Sequence, residues 1–233
     1  MKRGLSAILP VPMGGILIAI DGPAGSGKSS VARAVAGRLG VVNLNTGAAY
    51  RAAALLALRE SVDLADGTGL ASLAGRVGLD PQGASIDGER VPEPDLRTPE
   101  VSAAASRVSA HARLREVLLP VQRAAAQKAR EQGGAVVEGR DIGTVVLPDA
   151  ELKVYLSAAP EERARRRAYQ TGREGELERI KAAIARRDRQ DSERKVSPLR
   201  TAEDAVVLDT TSLSLEEVIS RVLGLADGLG EEG

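Results

Sequence analysis

The chain has 233 residues, 43% of them hydrophobic, with 32 Lys and Arg against 32 Asp and Glu. That suffices for one sizeable core with a small insert and is too short for two large domains, and the balanced charge offers nothing global to a nucleic-acid polymer or an anionic membrane. With no cysteine and a single histidine, disulfides, thiolate zinc sites, a cysteine nucleophile and a His-rich metal centre are excluded, and the composition fits a reducing cytoplasm.

Residues 1–14 carry two basic residues and a short apolar patch broken by prolines, and read as a loose extension; a start at Met13 would remove nothing assignable. No apolar run approaches the ~20 residues that a bilayer span requires. Phe and Trp are absent and Tyr occurs three times, so the core must come from aliphatic residues, and substrate contacts are expected to be charged or hydrogen-bonding.

The run Ile16 to Ile20 suits a strand buried on both faces, and Gly22, Gly27, Lys28 and Ser29 behind it complete the pattern G-x-x-x-x-G-K-[ST] of a P-loop. A chain that wraps a polyphosphate must turn its amides inward, and glycines at 22, 25 and 27 remove the side chains that would block this. The expected ATP-binding loop is therefore Gly22, Pro23, Ala24, Gly25, Ser26, Gly27, Lys28, Ser29 and Ser30. Lys28 is expected to reach the β- and γ-phosphates and Ser29 to ligate Mg²⁺, beside a helix N-terminus that itself favours anions. A glycine-rich turn without a ligand is the alternative, and the strand before the motif and the helix after it argue against that.

A helix follows over Ser30–Leu39 and stops at Gly40; Val41–Asn45 reads as a second strand and Ala48–Glu60 as an Ala/Leu-rich helix. From Val62 to Pro99 recurring Gly, Asp and Pro with short alternating pieces suggest a small antiparallel insert, with Asp87-Gly88 as a hairpin turn; a disordered excursion is the competing reading. Thr98-Pro99-Glu100 opens a helical stretch, Val101 to Arg130 supports one or two helices, and His111 reads as a surface helix residue. Ala135–Glu138 is a third strand, and Gly139–Thr144 is a loop at its carboxyl end, where doubly wound sheets bind ligands. Glu138 could hold Mg²⁺ through water, and Arg140 with Asp141 could hold a phosphate together with a base or ribose.

Leu152–Leu156 is a fourth strand, Pro160–Gln170 and Glu174–Gln190 are helices, Ala205–Asp209 is a fifth strand and Leu215–Leu223 a last helix. Strands alternating with helices predict an α/β fold, a five-stranded parallel sheet flanked by helices. On the helix after Pro160, Arg163, Arg166 and Arg167 share a face, and Glu162 can pair with Arg166. Either this is a solvated, salt-bridged face, or it is a helical lid, spanning about 160–195, that closes over the donor's phosphates. The second reading makes Lys28, Arg163, Arg166 and Arg167 the candidate catalytic set.

Taken together, IDGPAGSGKSS (20–30), TGAAYR (46–51), RTPEVSAAASRVSAHARLR (97–115), EGRDIGTVVLPDA (138–150), ERARRR (162–167) and RRDRQDSER (186–194) resemble the bacterial cytidylate kinases, P-loop nucleoside monophosphate kinases, from about Ile16 to Ala226. The resemblance implies a single kinase domain over 15–233, with an acceptor-binding insert at about 62–100. It implies transfer of the γ-phosphoryl of ATP, with Mg²⁺, to CMP or dCMP by a cytoplasmic enzyme expected to be a monomer. It implies an acceptor held by Thr46 and Arg51, a cytosine edge read by Ser106 and Asp141 with help from Arg115, and phosphate or ribose contacts from Arg140, Arg187, Asp191 and Arg194. Leu208 to Thr211 falls near the donor adenine. Three positions depart from the family's usual residues: Asn45 for Asp, Thr46 for Ser and Glu138 for Asp. Asn45 cannot serve as an anionic outer ligand of Mg²⁺. The other readings are a kinase for UMP or another small acceptor, and a non-enzymatic nucleotide-binding switch. The Arg51, Arg140, Arg187 and Arg194 set favours an acceptor that brings its own phosphate.

Overall fold

The computed structural model describes residues 15–229; the extension expected over residues 1–14 lies outside them. Along the chain, β1 (Ile16–Asp21) enters α1 (Lys28–Leu39) through the P-loop, and β2 (Val42–Asn45) enters α2 (Gly47–Arg59). Next come α3 (Gly67–Ala74), the meander β3 (Val77–Asp80), β4 (Gly83–Ile86) and β5 (Glu89–Arg90), the short α4 (Glu93–Leu96), then α5 (Pro99–Val108) and the long α6 (Ala112–Glu131). After β6 (Gly134–Glu138) a π-turn at Ile142–Val146 leads to β7 (Leu152–Ser157), the helix pair α7 (Pro160–Thr171) and α8 (Leu177–Glu193), β8 (Val206–Asp209) and α9 (Leu215–Gly228).

The main sheet is five-stranded and parallel in the order β2-β6-β1-β7-β8, and a separate three-stranded antiparallel sheet runs β3-β4-β5. Because β1 and β6 are central and helices cover both faces, their sequences are almost uninterrupted aliphatic runs. Ile18, Ile20, Val136 and Val154 pack with α1 and α9 through Val31, Val35, Val218 and Val222. The alternate residues Leu17, Ala19, Ala135 and Val137 pack with Ala125, Ala126 and Ala129 of α6. On α2, Ala49, Ala52, Ala53, Ala54 and Ala57 are all buried, and small side chains let it approach α5 and the insert closely. Register decides where the chemistry falls. Glu138 is level with Ile20 of β1 on one side and Asn45 of β2 on the other, so three strands finish together and their continuations face one cleft.

The five strands and the antiparallel insert match the sequence reading, and Asp87 and Gly88 both have positive φ, as the tight hairpin requires. Several boundaries differ. The insert opens with α3, whose two glycines hide its helical pattern; Asp66 caps it by accepting from the Thr68 amide at 3.0 Å, and Leu70, Leu73 and Ala74 are buried. His111 is half-buried and stands before α6 instead of on a helix surface. Its Nε2 lies 2.9 Å from the Leu64 carbonyl, tying the approach to α3 to the start of α6. Part of the loop read after β6 is the π-turn, and α9 continues to Gly228 behind a Ser214–Glu217 capping box. Strand β8 is an edge whose Val206 and Val207 face solvent.

Ile18 is fully buried at the middle of β1. Ile18→Ala is expected to lower stability by about 3 kcal/mol, whereas Val207→Ala, at 55% exposure, should change it by no more than ~0.5 kcal/mol. Urea unfolding with an unchanged m-value checks both.

Candidate functional site

The P-loop lies between the sheet and the helix pair, and two of its glycines have no substitute. Gly22 has φ 145°, and a Cβ there would lie 2.1 Å from the Leu156 carbonyl oxygen; Gly25 has φ 77°, and its Cβ would lie 2.9 Å from the Arg163 carbonyl oxygen. The loop thus passes directly under β7 and α7 backbone. The Lys28 ammonium donates to the Pro23 carbonyl at 2.6 Å and to Ser26 Oγ at 3.3 Å, which folds it across the loop. Beside it, Ser29 Oγ donates to Glu138 Oε2 at 2.6 Å, while Glu138 Oε1 is buried without a partner.

Opposite the loop stands a concentration of cations. Burial, and then the Arg140 and Arg187 charges, push Lys28 well below its ordinary value of 10.5, against the opposing pull of Glu138 and Asp21. Arg187 is pushed down to about 10 by burial and then by Arg140, with smaller contributions from Arg51 and Arg167. Arg51 is also pushed down to about 10, by burial and then by Arg97. Arg51 finds Asn45 Oδ1 at 3.2 Å, an amide that orients the guanidinium without neutralising it. The Nε atoms of Arg51 and Arg187 are buried and unpartnered. Positive groups held this close, with donors unspent, make a site for a polyanion.

Next to it lies a buried ionic chain. Arg115 stacks 5.1 Å above the Tyr50 ring and donates to Asp141 Oδ2 at 2.5 Å. Asp141 Oδ1 is 3.7 Å from Arg194, Arg194 is 3.5 Å from Asp191 Oδ1, and Asp191 Oδ2 accepts from Arg140 Nε at 3.0 Å. Arg115 Nε and Arg194 Nη2 remain without hydrogen bonds. Ser106 Oγ and its carbonyl are engaged with Gln190 at 3.2 and 2.8 Å. Thr46 Oγ1 donates to the Glu138 carbonyl at 2.9 Å, so its hydroxyl is committed to the end of β6 and only its lone pairs remain to offer. The residues named from the sequence as the acceptor site are therefore gathered around one cleft.

The arginines of α7 separate into three environments. Arg163 is buried and bonded to Ala24, Ala158 and Asp188. Arg166 donates to the Thr210 hydroxyl at 2.9 Å and carbonyl at 2.5 Å and pairs with Glu162 at 2.8 Å, as the helical spacing predicts. Arg167 has no ion pair among the described residues; desolvation, then the Arg97 and Arg173 cations, push it below its ordinary value.

Four contributors escaped the sequence reading. Asp21 ends β1 and accepts from the amides of Ile142 and Gly143 at 2.9 and 2.7 Å, fixing the π-turn behind Asp141. Arg123 of α6 donates to the carbonyls of Val146 and Val145 at the far end of that turn, at 3.0 and 2.8 Å. Gln190 orients Ser106, and Asp188 meets the P-loop. An acid closing an otherwise aliphatic strand was a readable signal for Asp21. The others depend on contacts across the fold.

The sequence profile described as cytidylate kinase matches residues 18–227. A cytidylate kinase of Rhodococcus opacus is 48% identical, the match covering 89% of this chain and 93% of that protein. One from Bacillus thuringiensis is 45% identical over 92% and 97%. A bifunctional pantoate ligase/cytidylate kinase of a Synechococcus strain is 47% identical over 94% of this chain and 42% of its own length. Among solved structures, an uncharacterised protein of Eubacterium ventriosum aligns over 91% of this chain and 98% of its own with TM-score 0.52 at 12% identity, a likeness of fold.

Asp21 is raised from 3.8 to about 6, chiefly by burial and less by Asp141, against the lowering effect of the Gly143 and Ile142 amides and of Lys28. Its folded value exceeds its unfolded one, so its contribution to stability is fully present below pH 3.8 and is lost as pH rises through about 6. A carboxyl ¹³C titration of Asp21 should centre near pH 6; a midpoint close to 3.8 would contradict this environment.

Proposed function

The chain belongs to the cytidylate kinase family, a nucleoside monophosphate kinase that forms CDP or dCDP and ADP from CMP or dCMP and ATP, and we propose that the P-loop is its donor cradle and the arginine cluster opposite its acceptor site. The carrying observation is the cluster of cations formed by buried Lys28 and half-buried Arg51, Arg140 and Arg187, between the loop and the Asp141–Asp191 chain. A single triphosphate would occupy the loop side. The remaining arginines call for a second phosphate.

In this reading Gly22 to Ser30 hold ATP through loop amides and the helix N-terminus, and Lys28 swings from the Pro23 carbonyl onto the β- and γ-phosphates. Arg51, Arg140 and Arg187 hold the acceptor phosphate with one oxygen in line with the γ-phosphorus. That oxygen forms the new bond as the β–γ bridging bond breaks, and the electron pair leaves on ADP, so no enzyme nucleophile or strong base is required. Arg166 and Arg167 face the charge that develops on the transferred group from a lid formed by α7 and α8. Arg115 and Asp141, with Ser106 beside them, offer paired donors and acceptors to the cytosine edge, and Asp191 and Arg194 face the ribose. A buried polar site of this kind rejects a base that leaves its groups unpaired. The antiparallel insert and α2, which carries Arg51, form the wall behind the acceptor.

Ser29 Oγ and Glu138 fit a divalent cation, because a hydroxyl and a carboxylate already meet there and one carboxylate oxygen is buried with nothing to bind. Mg²⁺ held by Ser29, and by Glu138 through water, would offset charge on the ATP phosphates. We take the enzyme to be a monomer, and free nucleotide substrates with a cysteine-free sequence support a cytoplasmic setting. Among the described residues no helix is long and apolar enough to cross a membrane.

A coupled assay of ADP formation with CMP, dCMP, UMP, AMP and GMP should show the cytidine nucleotides preferred; turnover with neither of them would sink the assignment. Lys28→Ala should lower kcat about 100-fold or more, while Arg51→Ala should raise the CMP KM about tenfold with a smaller change in kcat. Arg166→Ala should lower kcat more than ATP affinity, and an unchanged kcat would return Arg166 to a purely structural contact with Thr210.

A further inference from the structure

One P-loop residue is gripped by three groups from the helix pair. The Ala24 amide donates to Asp188 Oδ1 at 3.0 Å, and the Ala24 carbonyl accepts from Arg163 Nη1 at 2.9 Å. The same Nη1 donates to Asp188 Oδ2, so the residue's two backbone groups and the ion pair close a ring. The Ala24 methyl belongs to the apolar core of α7 and α8, with Ala164, Ala168, Ile180 and Ile184. Arg163 Nε is spent on the Ala158 carbonyl at 3.0 Å, and Gly25 lies against Arg163 backbone.

We propose that Arg163 and Asp188 are positioning residues that hold the P-loop in its ATP-binding shape from the helix pair, so that the packing of α7 on α8 and the affinity of the donor site are a single coupled property. This rests on the P-loop being the donor site. A loop with three glycines among six residues has much backbone freedom to lose, and fixing Ala24 beforehand reduces what ATP must order when it binds. Ala24 gives up its own amide to the carboxylate, and the amides of Gly25, Gly27, Lys28 and Ser29, which have no acceptor among the described residues, remain for phosphate. The pairing also explains how a carboxylate can sit beside an anionic ligand: Arg163 cancels its charge within the ring. Were Arg163 to leave for the transferred phosphoryl group, Asp188 would be left facing ATP uncompensated and the Ala24 carbonyl would lose its donor.

The test is nucleotide affinity of the full-length enzyme, by calorimetric titration with ATP alone and CMP alone, together with the rise in Tm that each ligand produces. Asp188→Ala should weaken ATP about tenfold to a hundredfold and leave CMP within about twofold. Asp188→Asn, which keeps an oxygen for the Ala24 amide, should recover part of the loss. If the alanine variant does not fold, Arg163→Met combined with Asp188→Leu removes both charges without stranding either, and the same ATP-selective loss is expected. Equal losses for ATP and CMP in a folded variant would overturn the proposal. So would intact ATP affinity with only kcat reduced, which would put Arg163 on the transferred group. Wild-type enzyme that binds CMP but not ATP would instead overturn the donor-site reading beneath it.

Discussion

Mutual repulsion among Lys28, Arg51, Arg140 and Arg187 is the constraint around which the rest of the molecule is arranged. Burial and neighbouring cations both disfavour the charged forms of Lys28, Arg51 and Arg187, and the carboxylates within reach are too few or already engaged, as Asp191 is by Arg140. Such an arrangement is costly in the absence of ligand, and under the proposed assignment phosphates would relieve that cost, so that part of the affinity for two anionic substrates would be prepared in the folded protein. Asn45 illustrates the balance. It steers Arg51 by a hydrogen bond while leaving the charge for the ligand.

The sheet makes that arrangement possible. Parallel strands that finish level bring Asp21, Glu138 and Asn45 to one edge, and each has a different task there: anchoring the π-turn, meeting Ser29 and orienting Arg51. The π-turn is fastened at its head by Asp21 and at its tail by Arg123, so Arg140 and Asp141 project from a segment with little freedom despite lying outside any strand. The placing of Arg140 and Asp141 thus traces back to the nearly fully buried β1 and to one arginine of α6.

Much of this was legible from sequence because local pattern and motif spacing coincide with the fold. The strands of the main sheet, the P-loop context, the Asp87-Gly88 hairpin and the Glu162–Arg166 pair all depend on neighbours within a few residues. What escaped depends on three-dimensional context. Helix α3 is obscured by Gly67 and Gly69 and held by tertiary burial of Leu70 and Leu73. His111 takes its place from a carbonyl 47 residues away, and Asp188 from an amide 164 residues away. Three arginines on one helical face could be counted in advance. That one faces the loop, one Thr210 and one the Arg97 side of the cleft follows only from how α7 packs.

The loop pattern leaves position 24 open to any residue, yet here its methyl group fills a space bounded by Ala164, Ala168, Ile180 and Ile184. The helix pair therefore acts as a mould for a segment whose composition the phosphate does not dictate. Tolerance at Ala24 should be narrower than the motif suggests and governed by volume, since even one added methylene must be absorbed by side chains already packed on every side.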